Sequence, residues 1–486
     1  MLKILIIGGG VSGLSAGVYA QMNGYHAIVC EKQKIAGGNL TGWKRGEYHI
    51  DNCIHWLTGT NPHTETYKIW TDLGALGSVD VYQADTLYTC EHKGKRLSLD
   101  KDLKKLERDM IEISPQDYKE TKALIKAVET MQAITGIAGE NHDQKCGFIA
   151  KARGVSTLAK YYKWTTGDLA NRFTHPLLRK FITSLMGDLF SALALLVVFS
   201  TFCGENGGIP EGSSQAMAQR IAERFTALGG ELLLNKEAVK VNVKNGKANS
   251  VTFADGTRLR ADYVVLTGDP AATFGKILPT EMPKPLEKLY KKQDMPRFSS
   301  YHCAYSCSAA QLPFRGDFIF ELSKKDQILL GTENLVVREF SHEKGFAPKG
   351  KNVLQTLTFC DEETSKEFIK LREDKQAYKA RKKQISDAIE RIITKKFPKL
   401  KGKLECIDVW TPATYQRYTN AEVGSFMSFL LPPKVLPKPL DNRVENLKNV
   451  ILATQWLQAP GGLPIAAKVG KRAIETIKKQ ESRKKI

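Results

Sequence analysis

Gly8, Gly10 and Gly13 constrain this chain more than any other feature. They form a GxGxxG pattern directly behind the β-branched run Ile4 to Ile7, and the helical segment that follows ends at Asn23-Gly24. In such a pattern the first glycine allows a tight strand-to-helix turn, the second lets backbone approach a pyrophosphate, and the third lets helix and strand pack closely. Tyr25 to Glu31 (YHAIVCE) reads as a second strand, so the opening segment is a complete βαβ unit. A chain that begins this way is directed to an α/β fold built on a parallel sheet.

The unit also carries a ligand expectation. Glu31 closes the second strand 23 residues after Gly8. A carboxylate there accepts hydrogen bonds from adenosine ribose hydroxyls and repels a 2′-phosphate, which favours FAD or NAD over NADP. Gly37-Gly38 follows shortly after, where many flavoproteins bring a second glycine turn to the same pyrophosphate, which points to FAD, although an ordinary loop glycine pair is the other reading and the pair alone does not decide. Ser12, Lys32, Asn39 and Leu40 flank these glycines and Glu31 and join the expected cofactor-binding set. A second GxGxxG is absent from the sequence, so a built-in NAD(P)H domain is not expected and the electron partner stays open.

With 486 residues the chain is long enough for two cores. Asp100 can cap a helix carrying Leu103, Leu106, Met110 and Ile113 at helical spacing, and Ser114-Pro115 starts another. From Glu237 to Thr267 strands alternate with the turns Asn245-Gly246 and Asp255-Gly256, which predicts a three-stranded meander. Tyr378 to Phe397 returns to helical period and stops at Pro398. Val450 to Ala453 reads as a short strand and Pro464 to Lys478 as a last helix. No internal repeat occurs, so the two domains are expected to interleave.

Composition narrows the function classes. Nine cysteines without a CxxC pair read as reduced thiols in the cytosol, and neither cysteines nor histidines show metal-ligand spacing, so no metal is expected. The opening apolar run is too short for a secretory signal and reads as structure from the first residues. The longest uncharged stretch, Leu189 to Cys203, is shorter than a membrane span and reads as a buried helix. The net charge of +20 is spread along the chain apart from a dense tail, Lys478 to Lys485. Without interleaved aromatics this does not point to nucleic acid; a solvated charged surface is the plainest reading, and peripheral contact with an anionic membrane at its cytoplasmic, inner face stands beside it.

The run GGNLTGWKRGEYHIDNCIHWLTGTNP, Gly37 to Pro62, resembles the corresponding segment of the phytoene desaturase, carotenoid isomerase and retinol saturase-like flavoproteins. Three further blocks resemble the same family: GGIPEGSSQAMAQRIAERFTALGGELLLNKEAVKV (Gly207 to Val241), TPATYQRYT (Thr411 to Thr419) and ILATQWLQAPGGLPIAAKVGKRA (Ile451 to Ala473). The resemblance implies that Ala238 and Val239 present backbone to adenine. It implies that Asp51, Ile54, His55 and Trp56 lie on a strand beside the flavin ring, and that Gly462, Leu463 and Pro464 open a helix aimed at the flavin's carbonyl edge. Two positions depart from the family pattern. Thr454 stands where relatives usually have glycine, and Gln455 stands where many flavoproteins use an acid against the ribityl or phosphate, a place it can still fill by hydrogen bonding.

Together these readings describe a Rossmann-like FAD-binding domain (residues 1–75, 204–275 and 441–486) interleaved with an α+β substrate-binding domain (residues 76–203 and 276–440). The resemblance implies an FAD-dependent oxidoreductase that changes bond order in an apolar isoprenoid or polyene-like lipid held in an apolar tunnel. Three alternatives stand beside it: a flavin-dependent isomerase of such a lipid, an amine oxidase-type flavoenzyme, and a redox-silent lipid-binding flavoprotein. His55 is the candidate for proton transfer at the ring, and a packing histidine is the other reading. Tyr415, Arg417, Trp43 and Arg45 carry the same two readings.

Overall fold

The structure, a computed structural model, describes residues 1–135, 148–309, 312–435 and 438–484; Cys146 and Lys485 lie outside them. The opening strand, Lys3–Ile7, is central in a six-stranded sheet. In spatial order the sheet runs Glu231–Leu233, His26–Cys30, Lys3–Ile7, Tyr263–Leu266, Leu447–Leu452 and Arg443–Val444. All neighbours are parallel except the last pair.

Side chains alternate between two covered faces, as the two-residue period of a strand requires. Ile4, Ile6, Val29, Val265 and Ile451 pack against helices, whereas Leu5, Ile28, Val264 and Val450 pack against the predicted meander. The meander consists of Ala238–Lys244, Lys247–Phe253 and Arg258–Arg260. On the helical face the opening helix (Val11–Met22) lies against the closing helix (Leu463–Lys484). Ser15 Oγ donates to Ala467 O at 2.7 Å. The two backbones meet so closely at Gly470 that a Cβ there would fall 2.4 Å from Ser12 O.

A second sheet has seven strands, in the order Glu405–Trp410, Ser299–Ser308, Lys351–Cys360, Asn334–Glu339, Asp317–Glu321, Thr86–His92 and Lys95–Asp100. It is antiparallel except where Asp317–Glu321 meets Thr86–His92. Ile319 and Val336 face a helical layer that includes the apolar helix Ala192–Cys203. Phe318, Phe320, Leu335 and Val337 face the helix Lys375–Lys396.

Several local expectations shift. Asp102, not Asp100, caps the helix Leu103–Ile113, accepting from the N–H of Lys104 at 2.9 Å and of Lys105 at 3.2 Å. Asp100 is the last residue of a strand, and its carboxylate is taken by Thr86 and Lys105 across the sheet end. The apolar helix starts at Ala192, and Leu189, ahead of it, is exposed. The closing helix begins at Leu463, next to the predicted Pro464, and continues to Lys484. The eight described cysteines are free, and no helix among the described residues is long and apolar enough to cross a membrane.

Candidate active site

The three glycines of the opening turn do three different jobs. Gly8 has φ +108°, and a Cβ there would collide with Thr267 Oγ1 at 2.3 Å. At Gly13 a Cβ would lie 1.9 Å from Gly8 O, so helix and strand touch there. Gly10, by contrast, has only Gly37 O and Gly38 Cα near its missing side chain, both at 3.9 Å. It leaves a cradle at the N-terminus of the opening helix, which no side chain caps and which has no acidic residue in its first turn. Such a terminus favours an anion. Ser12 is buried in this turn.

Gly37-Gly38 forms the other wall of the cradle. Gly37 N donates to Gly9 O at 2.8 Å, and Leu40 N returns to Gly37 O at 3.1 Å. Gly37 has φ +126°, and a Cβ there would meet Leu40 O at 2.3 Å, so only glycine fits. Glu31 lies beneath, buried, accepting from Gly9 N at 2.7 Å and from Gln33 N at 2.8 Å. Burial raises its carboxyl above the usual value against these two backbone donors. Each oxygen keeps a further lone pair for another donor. Lys32 turns away from the cradle to Arg417 O, at 2.9 Å, and to Asn420.

Ala238 is buried at the start of the meander, and a register shift between Ala238 and Lys240 leaves Val239 without a facing residue. A bulge of this kind takes backbone groups out of the ladder. At the other end of the site, Gly461 and Gly462 have φ +80° and +91° and lead into the closing helix. Gln455 sits here in an unexpected role. Both ends of its amide engage protein, Oε1 accepting from Gly462 N at 2.8 Å and Nε2 donating to Phe426 O at 3.3 Å. The side chain therefore fixes the entry to the helix carrying Leu463 and Pro464. The buried hydroxyls of Thr454 and Ser428 have no hydrogen-bond partner among the described residues.

The segment expected as a strand beside the ring is different. The strand Tyr48–Asp51 stops at Asp51, and Ile54, His55 and Trp56 lie in a bend before the short strand Leu57–Thr58. Their backbone is held by side chains instead of by a neighbouring strand. Ile54 N donates to Ser214 Oγ at 2.9 Å, and Arg338 donates to Ile54 O at 2.7 Å and His55 O at 3.2 Å. Asp51 itself is turned to the helix Ser213–Ala227. Trp56 packs on the core that contains the apolar helix.

His55 meets a partner that the sequence did not reveal, with Nδ1 3.2 Å from the buried Asp317 Oδ2. Asp317 also lies 3.4 Å from Arg338 Nε. Burial alone would raise the Asp317 carboxyl, but Arg338 and His55 hold it below the usual carboxylate range. An ionised Asp317 only accepts, so His55 Nδ1 carries a proton and Nε2 is the acceptor of the neutral ring.

Asn52, Cys53, His55, His302, Arg338 and Gln355 help to line a cavity of about 10 Å³, room for about one water. His302 stacks on Trp410 at 4.6 Å and bonds to Ser300 Oγ at 2.7 Å and Tyr415 OH at 3.1 Å. Burial, reinforced by His55, pushes it down to about 3. Tyr415 is thus a buried bridge, whereas Trp43 and Arg45 both reach Asp408, at 2.7 Å and 2.8 Å. Asp317, Arg338, Asn52 and His302 escaped sequence reasoning because nothing local distinguishes them from other strand and loop residues.

A parallel-sheet nucleotide fold with a glycine cradle, a buried acid at the second strand's end and a second helix N-terminus defines a dinucleotide-dependent flavoprotein. The chain belongs to the flavin containing amine oxidoreductase family, whose pattern matches residues 11–477. It is an FAD-dependent oxidoreductase. Prolycopene isomerase of Daucus carota is 24% identical over 453 residues, covering 87% of this chain and 71% of that protein. The lycopene-forming phytoene desaturase of Paracoccus sp. (strain N81106 / MBIC 01143) is 24% identical over 283 residues, 56% of each chain. In fold, the chain is similar to an oxidoreductase from Methanosarcina mazei, with a TM-score of 0.62 and 15% identity over 98% of this chain and 100% of the other.

Proposed function

We propose that this enzyme changes the C–C/C=C bond order of an apolar isoprenoid or polyene-like lipid by hydride exchange with FAD. The observation that carries the reading is the likeness to phytoene desaturases, such as the lycopene-forming one of Paracoccus sp. over 56% of the chain. FAD, when bound, supplies a two-electron site that takes or gives hydride.

The chain's own residues fit that cofactor. Gly8, Gly10, Ser12 and Gly13 would receive the pyrophosphate at the helix N-terminus, with Gly37, Gly38, Asn39 and Leu40 as the facing wall. Glu31 would use its remaining lone pairs for the ribose hydroxyls, and Lys32 would brace the turn behind it. Ala238 and Val239 would offer backbone to adenine from the bulge. Ile54, His55 and Trp56 would flank the ring, held in place by Ser214 and Arg338. Gln455, Gly462, Leu463 and Pro464 would set the closing helix N-terminus against developing negative charge.

Loss of hydride from an alkyl carbon leaves a cation, which is tolerable only beside conjugated carbons, so a polyene or allylic substrate suits the reaction. Water would trap such a cation, and an enclosed apolar tunnel would exclude it. His55, with Nδ1 protonated toward Asp317, keeps Nε2 to accept a proton. The test is anaerobic mixing of oxidised and of reduced enzyme with phytoene-like, retinol-like and fatty-acid lipids. Stoichiometric bleaching or reoxidation with a product shifted by two hydrogens is expected.

A second reading, isomerisation without net electron transfer, draws on the likeness to a prolycopene isomerase across 87% of the chain. A product of unchanged mass with unchanged flavin redox state would establish it over the first. Turnover of amines with no lipid reaction would overturn both.

A further inference from the structure

The helix Pro412–Thr419, which carries the TPATYQRYT block, touches both the segment that follows Glu31 and the loop that bears Asn52. At its C-terminal end Lys32 Nζ donates to Arg417 O at 2.9 Å and Gln33 Nε2 donates to Tyr418 O at 2.8 Å. These are the two residues that follow Glu31, and Gln33 N also bonds to Glu31 Oε1 at 2.8 Å. From the middle of the same helix the buried Tyr415 hydroxyl donates to Asn52 Oδ1 at 3.0 Å. Asn52 Nδ2 in turn donates to Asn39 O at 3.0 Å, directly beyond the glycine turn that bonds to Gly9.

We propose that this helix is a clasp for FAD and that Tyr415 is a positioning residue: acting through Asn52, it holds the Gly37–Leu40 turn against the Gly8–Gly13 loop. The chemistry at Tyr415 supports a directed role. Its single proton goes to Asn52, while Trp410 Nε1 donates to the same hydroxyl at 3.3 Å and His302 approaches it at 3.1 Å. With Asn52 oxygen occupied by Tyr415, the amide must present its N–H to Asn39 O. Removal of the tyrosine hydroxyl leaves a half-buried acceptor without its donor and releases the amide to rotate. The two cofactor loops are consequently tied to one helix of the second sheet's layer, so FAD binding is coupled to the seating of that helix.

The proposal rests on the assignment of FAD to the glycine cradle, and the experiment separates the two. Apoprotein is titrated with FAD, following flavin fluorescence, for the wild type, Tyr415→Phe, Asn52→Ala, the double variant and Tyr378→Phe. The last removes a 2.7 Å hydrogen bond to Thr411 at the other end of the same helix and controls for general weakening of it. Tyr415→Phe and Asn52→Ala should each raise the FAD Kd about five- to a hundredfold, and the double variant should bind no more weakly than the worse single one. Tyr378→Phe should lower the apoprotein Tm comparably and leave the FAD Kd within about twofold.

An FAD Kd unchanged in Tyr415→Phe or in Asn52→Ala, additive losses, or equal weakening by Tyr378→Phe would overturn the clasp while leaving the cofactor assignment intact. A wild type that takes up no FAD would overturn both. Asn52→Ala decides the matter by itself if Tyr415→Phe fails to fold, because Asn52 lies on a loop outside both sheets.

Discussion

Asp51 caps a helix that begins 162 residues further along the chain: its Oδ1 accepts from Ser214 N at 2.9 Å and its Oδ2 accepts from Ser214 Oγ at 2.8 Å. The helix, Ser213–Ala227, enters through left-handed Gly212 without a side-chain cap of its own. Ser214 Oγ then accepts from Ile54 N, so one carboxylate sets both the helix and the bend bearing His55. Replacement of Asp51 by Ala should cost about 1 to 3 kcal/mol, since two donors lose their partner in a buried place. Chemical denaturation would measure it, and a loss below about 0.5 kcal/mol would mean that the cap contributes little.

Gly10 and Gly13 should fail in different ways. A Cβ at Gly10 meets only ordinary contacts, so Gly10→Val should keep the secondary structure but lose stoichiometric FAD, because the branched side chain fills the cradle. A Cβ at Gly13 would lie 1.9 Å from Gly8 O, and Gly13→Val should fold poorly or not at all. Circular dichroism with flavin release on denaturation distinguishes them. Full FAD retention in Gly10→Val would show that the cofactor lies elsewhere.

Acid stability should report Asp317. Its folded value is depressed by Arg338 and His55 against the effect of burial, so its contribution is present above the unfolded carboxylate range near 4 and is lost as pH falls through the folded value. Asp317→Asn should therefore be destabilised at neutral pH by about 3 kcal/mol or more, since Arg338 keeps a buried charge. It should also lose part of the wild type's fall in Tm below about pH 4. Parallel Tm profiles for the two proteins would count against the ion pair.

Glu343 has the opposite sign. Burial, with a smaller contribution from Asp51 and Glu211, pushes its carboxyl up to about 7. A raised carboxyl is stabilising while protonated, so this contribution is complete below the unfolded value and disappears as pH rises through about 7. Glu343→Gln should match the wild type at pH 5 and exceed its Tm at pH 8. Thermal scans at the two pH values suffice, and a lower Tm for the variant at pH 8 would reject the argument.

The net charge of +20 and a lipid-like substrate together predict peripheral binding to anionic membranes. Co-sedimentation should be stronger with vesicles containing phosphatidylserine than with neutral ones. It should weaken with salt, because surface charges are screened beyond about 10 Å at 0.1 M ionic strength. Equal pelleting with both vesicle types would point away from electrostatics.

Much of the glycine cradle was legible. The glycines at 8, 13, 37 and 38 announce themselves because a side chain there would strain the turn or strike a neighbour, Gly10 is read from its place between them, and Glu31 is read from its place at a strand end. His55 was legible as a residue but not as a site, since its meaning depends on Asp317. Gln455 was read as a ligand contact, and its amide also braces Gly462, a role that its short sequence distance alone does not single out. Leu189 shows the limit of composition: an apolar residue in an apolar run, it lies outside the helix and is 73% exposed.

By itself, the sequence determined the βαβ opening, the glycine turns, the meander with its two tight turns and the two long C-terminal helices. Each of these follows from local backbone preference and from apolar residues repeating every two or every 3.6 positions, which operate over a few neighbouring residues. Only the tertiary structure decided that Asp51 caps a distant helix, that Ile54 to Trp56 form a bend instead of a strand, and that His55 pairs with Asp317 and Asn52 with Tyr415. The pairs His55–Asp317 and Asn52–Tyr415 are separated by 262 and 363 residues. A hydrogen bond requires its atoms within about 3 Å and aligned, a condition that no local pattern encodes and that arises only when the packing of distant segments fixes both partners in place.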